Sequence, residues 1–174
     1  MLYHKPAATI SRKLTISFVV IALFSSIALS AQTDEAPFSL KKCWEYPTSD
    51  LIGRGLVSDV SKVYLSEVGA RLEAVSINDG KKLCFSDLGG EIVSNIAERE
   101  TAVFVVSRSN EAAASKRSKT VLRSLSKETG ITNWVTELED AAIVYLGISN
   151  QTLIAVSDSG NIAAVDAGSG AVRW

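Results

Sequence analysis

Short runs of apolar and β-branched residues recur along most of the chain, separated by Gly, Asn, Asp and Ser. They predict strands at 91–96, 102–107, 120–126, 132–136, 142–148, 152–157, 161–166 and 171–174. The strands fall into consecutive groups of four joined by tight turns. Four short antiparallel strands repeated at this spacing predict an all-β fold, a β-propeller of four-stranded blades, rather than a β-sandwich.

A 40-residue repeat underlies this pattern. Three segments align without gaps, each with a glycine four residues before its last position: 74–84, 124–134 and 164–174. They end at Cys84, Trp134 and Trp174, and Trp44 stands 40 residues before Cys84. The interval from Cys84 to Trp134 is 50 residues, because a polar stretch at 109–119 lengthens one hairpin loop. Such a period is typical of propeller blades.

The glycines and the closing residues of the repeat have different expected roles. The glycines, Gly80, Gly130 and Gly170, are expected in tight turns between the third and fourth strands of a blade, where a positive φ angle suits glycine. A closing tryptophan is expected to lay its ring on the adjacent blade, burying area worth about 2 to 3 kcal/mol. The alternative is an aromatic platform for a sugar or a quinone, which recurrence with the repeat disfavours. Cys84 departs from the pattern, and Phe85 is expected to compensate for part of the lost packing.

The repeat motif resembles that of a known family. The pattern Ala-x-Asp-x-x-x-Gly-x-x-x-Trp is complete in Ala164, Asp166, Gly170 and Trp174, and Thr-Gly-x-x-x-Trp is present from Thr129 to Trp134. Both resemble the pyrroloquinoline-quinone (PQQ)-binding-like propeller repeat. The resemblance covers residues 38–174 and implies a ring of seven or eight blades, closed when the first strand completes the last blade.

The resemblance also implies the division of the chain into blades. Residues 38–46, which contain Trp44, are expected to be the closing strand, and residues 51–86, 87–136 and 137–174 are expected to be three blades. The strands that 38–46 should join are missing from this sequence. We therefore expect the chain to be a part of a protein about twice as long, since an arc of repeats leaves its end faces uncovered.

The chain begins with a predicted secretory signal peptide, residues 1–31, and a linker, residues 32–37. Positive residues precede an apolar run at 14–31 that ends in small residues, as signal peptidase requires. The alternative is an uncleaved membrane anchor, which the small-residue ending disfavours. Cys43 lies well beyond the apolar run, so a lipoprotein is not expected. The mature protein is therefore expected to be periplasmic or secreted, with no membrane span.

Charge and residue content exclude several classes of function. Residues 1–30 hold three of the 18 basic residues and none of the 19 acidic ones, so their removal leaves a net charge of −4 and no reason to expect nucleic acid as a partner. The one histidine, His4, lies in the signal peptide, which excludes a catalytic triad or a histidine-ligated metal site from the mature chain. The sequence leaves open whether Cys43 and Cys84 form a disulfide, although the outer strands of neighbouring blades are expected to be too far apart for one.

Charged side chains near one rim of the predicted propeller are the candidate docking surface. They come from the lengthened loop and from the connection between two blades: Lys116, Arg117, Lys119, Glu137, Glu139 and Asp140. A mixed-charge rim can bind a protein partner. The alternative is an ordinary solvated loop face, which is the more common use of such charges.

Two classes of function remain. We favour an exported, non-catalytic propeller that acts as a binding or assembly scaffold for protein partners in the periplasm or cell envelope. The alternative is the amino-terminal portion of a PQQ-dependent quinoprotein dehydrogenase. That resemblance implies an adjacent cysteine pair, a calcium ion held by acidic and amide side chains, and a catalytic aspartate, and no residue of this chain matches them. No catalytic or metal-binding residue is predicted here, and PQQ and calcium belong to the alternative alone.

Overall fold

Three antiparallel sheets make up the structure, a computed structural model that describes residues 41–109 and 118–174. The first sheet, which we call blade 1, pairs four strands in chain order. They are β1 (Ile52–Ser58), β2 (Lys62–Glu67), β3 (Arg71–Ser76) and β4 (Lys82–Asp87). Short turns join them, as the Gly- and Asp-containing gaps in the sequence predict.

The second and third sheets, blade 2 and blade 3, repeat this arrangement. Blade 2 contains β5 (Glu91–Ile92), β6 (Ala97–Arg99), β7 (Ala102–Ser109), β8 (Lys119–Ser126) and β9 (Thr132–Leu138). Blade 3 contains β10 (Val144–Ser149), β11 (Thr152–Ser157) and β12 (Ile162–Asp166). The order in blade 2 is β5-β7-β8-β9, with β6 also paired to β7, and the order in blade 3 is β10-β11-β12. The predicted all-β propeller blades are confirmed.

The strand predicted at 91–96 forms only at its start, as β5, and a second short strand, β6, follows after residue 96. Both pair with β7, but the residues between them turn toward blade 3. Ser94 makes an isolated parallel bridge with Val144, and its hydroxyl accepts a hydrogen bond from the Val106 N–H at 2.8 Å. The Asn95 side chain accepts from the Leu146 N–H at 2.8 Å and donates to the Leu146 carbonyl at 3.0 Å. Serine and asparagine side chains thus replace ladder bonds that an unbroken strand would make.

The strand predicted at 171–174 is shorter than expected. Only one bridge, between Val165 and Val172, is formed there. The bridge is made by backbone hydrogen bonds from Asp166 N to Ala171 O (2.8 Å) and from Arg173 N to Ala164 O (2.7 Å), and a further bond from Ala164 N to Trp174 O (2.8 Å) holds the segment along β12. This segment occupies the fourth position of blade 3.

Blade 2 is covered on both faces, because apolar side chains along its central strands point alternately toward blade 1 and toward blade 3. On β7, Val103 and Val105 join an apolar cluster with blade 1, whereas Phe104 and Val106 join a second cluster with blade 3. Successive side chains of a strand point to opposite faces, so a strand buried on both sides reads as a continuous apolar run, as 102–106 does. The two clusters set the three sheets face to face.

Several predicted features lie outside the described residues: the signal peptide at 1–31, the linker at 32–37, and Lys116 and Arg117 of the lengthened loop. Among the described residues, no helix has the length and apolar content needed to cross a membrane. Of the predicted closing strand, residues 41–46 are described, and two of their side chains contact blade 1: Trp44 donates a hydrogen bond to the Ile77 carbonyl and Tyr46 donates one to Glu73.

Candidate functional site

The turn between the third and fourth strands has the same geometry in all three blades. Gly80, Gly130 and Gly170 have φ angles of 68°, 73° and 76°. Each donates its N–H to the carbonyl four residues earlier, at 3.0, 2.8 and 2.8 Å. A positive φ angle strains any residue with a Cβ atom, so the turn needs glycine at this position.

A side-chain oxygen four residues before each glycine caps the turn. In blade 3 it belongs to Asp166, which accepts hydrogen bonds from the N–H groups of Gly168 (3.1 Å) and Ser169 (2.9 Å). Ser76 and Ser126 accept similar bonds in blades 1 and 2. The Arg173 guanidinium, 2.6 Å from Asp166, together with these N–H groups, holds the pKa of the Asp166 carboxyl below its usual range. Within this turn the Asp of the motif is therefore a structural acceptor.

Two of the tryptophans lie on the glycine turn of the next repeat. The Trp134 indole N–H donates to the Ala167 carbonyl at 3.1 Å, and a Cβ atom on Gly170 would come within 2.6 Å of the ring. Trp44 repeats this contact: its indole donates to a carbonyl of the β3–β4 turn, that of Ile77, at 2.7 Å, and a Cβ on Gly80 would come within 2.8 Å. Both rings can therefore lie this close to the turn only because glycine has no Cβ atom. Trp174 lies at the outer edge of blade 3 and is 69% exposed.

Cys84 holds the tryptophan position at the contact between blades 1 and 2, which we call seam 1–2. Its side chain is a thiol, not part of a disulfide. The carbonyl that a tryptophan would bind, Lys127 O, instead accepts a hydrogen bond from Lys62 Nζ at 2.6 Å. A lysine amine therefore replaces the indole N–H. The expectation that Phe85 compensates is wrong, because Phe85 is 54% exposed and packs beside Arg71 and Lys82 of its own blade.

Ion pairs complete seam 1–2 at the end of the blades where the β1–β2 and β8–β9 turns lie. Lys127 of blade 2 pairs with Asp59 of blade 1 at 3.3 Å and with Glu98 of blade 2. Its ammonium group also lies 5.9 Å from the centre of the Tyr64 ring. Burial alone would raise the pKa of Asp59, but hydrogen bonds from the Ser61 and Lys62 N–H groups and from Lys127 outweigh it and lower that pKa.

A groove of about 330 Å³ occupies the same place at the contact between blades 2 and 3, seam 2–3. Trp134 and Phe104 line it, with the side chains of Asn133 and Gln151 among its polar groups. The groove is open because Ala102 and Ala167, which also line it, occupy the repeat positions of Lys62 and Lys127. The lining also includes the charged residues Arg99, Glu100 and Asp166, so the groove combines aromatic, amide and ionised groups.

The comparison with known protein families decides how these repeats are classified. The model of the family described as outer membrane protein assembly factor BamB matches residues 28–174. The chain belongs to this family of PQQ-like propeller repeats. No curated protein matches the sequence.

Solved structures with similar PQQ-like propellers share only the fold with this chain. BamB from Moraxella catarrhalis has a TM-score of 0.62 and 19% identity, over 76% of this chain and 38% of that one. A quinohemoprotein alcohol dehydrogenase from Pseudomonas putida HK5 has a TM-score of 0.62 and 15% identity, over 76% and 22%. The corresponding enzyme from Comamonas testosteroni has 0.56 and 16%, over 75% and 22%. The chain thus spans well under half of the length of each of these proteins.

At the rim of the PQQ-like propeller, some of the predicted charged side chains are exposed, and others are hydrogen-bonded to neighbouring side chains. Asp140 accepts hydrogen bonds from Arg108 (3.0 Å), Ser118 (2.9 Å) and Thr120 (3.2 Å). The Arg108 guanidinium and these hydroxyl groups lower the pKa of Asp140. Glu139 accepts from the Asn161 side chain at 2.5 Å, which connects the end of blade 2 to blade 3. Lys119 and Glu137 are exposed at the ends of β8 and β9.

The calcium ion of a PQQ centre finds no carboxylate cluster among the described residues. Calcium needs several oxygen ligands, usually carboxylates, in one place. Over 41–109 and 118–174, no group of three or more His, Cys, Asp or Glu side chains could hold a metal ion. The acidic groups described above are used in turns, in seam 1–2 and at the rim. We therefore derive no chemistry through PQQ or calcium.

Sequence reasoning missed the polar groups that hold the seams. Thr136 and Ser86 stand two residues after Trp134 and Cys84, and each donates its hydroxyl to the carbonyl of the next blade's turn glycine, at 2.5 and 2.6 Å. This shared offset is a signal that the repeat alignment contains. Lys62, Lys127 and Asn95 are not repeated at the corresponding positions of the other blades, so the repeat alignment does not predict the contacts that they make.

Proposed function

We propose that this protein is an exported, non-catalytic propeller that acts as a scaffold for protein partners in the cell envelope and takes part in outer membrane protein assembly. The observation that carries the proposal is the match of residues 28–174 to the family described as outer membrane protein assembly factor BamB. The predicted signal peptide at 1–31 is consistent with export. We propose cleavage at its end and no lipid on Cys43, which follows two lysines rather than the apolar run.

The rim is the docking surface we favour. Lys119 and Glu137 are exposed there, whereas Asp140 and Glu139 are held by neighbouring side chains. An interface benefits from charges that are already fixed in position, because less side-chain entropy is lost on binding. The partner surface is expected to carry both signs of charge, since the rim does.

The test of the proposed function is performed in cells that lack the full-length protein. Folded outer membrane β-barrels migrate differently on gels before and after heating, which measures how much barrel protein has been assembled. We expect less folded barrel protein in such cells, and recovery when the full-length gene is restored. A full-length gene carrying Lys81→Glu, a charge change far from the rim, is the control for the restored gene and should restore assembly fully. Unchanged barrel assembly in the deleted strain would sink the proposal.

The alternative function, a PQQ-dependent dehydrogenase, is favoured by fold likeness to two quinohemoprotein alcohol dehydrogenases. Its test is the melting temperature of the full-length protein with and without PQQ and Ca²⁺. A ligand at about 100 times its Kd stabilises the folded state by about 2.7 kcal/mol, which is readily detected. The scaffold proposal predicts no shift with PQQ and Ca²⁺ together. A rise that requires both components would favour the enzyme instead.

A further inference from the structure

The two seams between blades share an apolar interior but differ at the outer edge. At seam 2–3, the Trp134 ring covers Gly170, and Asn95 and Val93 bind the backbone of β10. The bond from Val144 N to Val93 O measures 2.9 Å. Apolar contact and backbone hydrogen bonds therefore hold most of this seam, and the Glu139 carboxylate that reaches blade 3 binds a neutral side chain, that of Asn161.

At seam 1–2 the corresponding contacts are polar and reciprocal. Lys62 of blade 1 donates to the Lys127 carbonyl of blade 2, and Lys127 reaches back to Asp59 of blade 1. Ser86 donates to the Gly130 carbonyl at 2.6 Å. In the described residues, no backbone-to-backbone hydrogen bond crosses this seam. The turn end of seam 1–2 thus depends on ionised side chains.

We propose that seam 1–2 is an electrostatic joint, the place where this arc of blades opens first, and that salt and acid promote its opening. Replacing an indole by a thiol removes the largest apolar contact available at this position. A small cavity of about 10 Å³ remains beside Cys84. The side chains of Lys127 and Asp59 are 12% and 19% exposed, so their attraction is stronger than that of a surface pair but still reachable by ions. The inference rests on the fold and is independent of the proposed function.

The direction of the pH effect follows from the groups that face one another. Blade 1 contributes Asp59, Lys62, Tyr64 and Cys84, and blade 2 contributes Glu98 and Lys127. Glu73 of blade 1 also lines the cavity beside Cys84, but it pairs with Lys82 of its own blade. The pKa of Asp59 is lower in the folded protein than its ordinary value of about 3.9. Its stabilising contribution is therefore complete above about pH 4 and is lost as the pH falls through the folded-state pKa.

The experiment is hydrogen exchange by mass spectrometry on the full chain at about 0.1 M and about 1 M salt. Over that range the Debye length falls from about 10 to about 3 Å. We expect amides of β2 and β3 to exchange on the order of fivefold faster at high salt, and those of β7 and β11 to change little. Lowering the pH to about 3, after correction for intrinsic rates, should also speed exchange in β2 and β3. Asp140 and Asp166, whose pKa values are lowered too, lose stabilisation over the same range, so the salt comparison carries the test of selectivity.

Two variants make the test specific. Lys127→Met removes the ammonium group but keeps a chain of similar length, so blade 1 should exchange rapidly at both salt concentrations. Lys81→Met is the matched control, because Lys81 pairs with Asp79 inside blade 1 and reaches no other blade. It should keep the salt response of the parent protein. Equal salt response in all three blades of the parent protein would overturn the proposal, and this comparison stands even when a variant does not fold.

Discussion

At the residue scale, the repeat is held by a large side chain that lies on a glycine. The sequence predicts both partners, because the spacing from glycine to tryptophan recurs in the repeats. It does not predict the hydrogen-bond acceptor of the indole, since Ile77 and Ala167 bind through backbone carbonyls that leave no trace in residue identity. Nor does it predict that a lysine from another strand supplies the missing donor where the tryptophan is absent.

The contact of Trp134 with Gly170 predicts that alanine lowers the free energy of unfolding more at Gly170 than at Gly89, although both glycines have a positive φ angle. At Gly89, with φ of 68°, a Cβ would meet nothing within 4 Å, so Gly89→Ala is expected to cost only backbone strain, about 1 to 2 kcal/mol. Gly170→Ala adds a clash with Trp134, for a total of about 2 to 4 kcal/mol. Urea denaturation measures both free energies of unfolding. Equal losses at the two positions would show that the ring does not rest on the glycine.

At the element scale, β-strand prediction succeeds where a strand is buried on both faces or ends in a recognisable turn. The apolar run of β7 and the Gly-containing turns are examples, because burial and positive φ angles restrict residue choice strongly. It fails at 91–96, where an apolar pattern continues through a break. Ser94 and Asn95 bind backbone groups of β7 and β10 there. The hydrogen bond to β10 is made with another blade, so the sequence around the break does not show it.

Also at this scale, the two seams show how one repeat position controls its surroundings. Where the position is Trp134, alanines at 102 and 167 leave a groove. Where it is Cys84, lysines at 62 and 127 stand at the same repeat positions and make polar contacts. The alignment of the repeats shows these exchanges but not their contacts, because distant positions in sequence meet only after the blades pack. The contacts that hold a seam are thus determined by two neighbouring blades together.

At the scale of the whole molecule, the described blades belong to a family whose members share a fold but little sequence. At identities of 15 to 19%, this chain is similar in fold both to BamB and to two quinohemoprotein alcohol dehydrogenases, with TM-scores of 0.56 to 0.62. Function must therefore be decided at a surface. The rim end of blade 2, where Lys119 and Glu137 are exposed, is the surface on which our account depends.

The most direct measurement is site-specific photo-crosslinking of the full-length protein in cells. A photoreactive residue replaces Glu137 at the rim or, as control, Lys81 in the turn at the opposite end of a blade. We predict a crosslink from position 137 to a protein of the outer membrane assembly machinery, identified by mass spectrometry, and none from position 81. The same product from both positions, or no assembly protein captured at 137, would contradict the account.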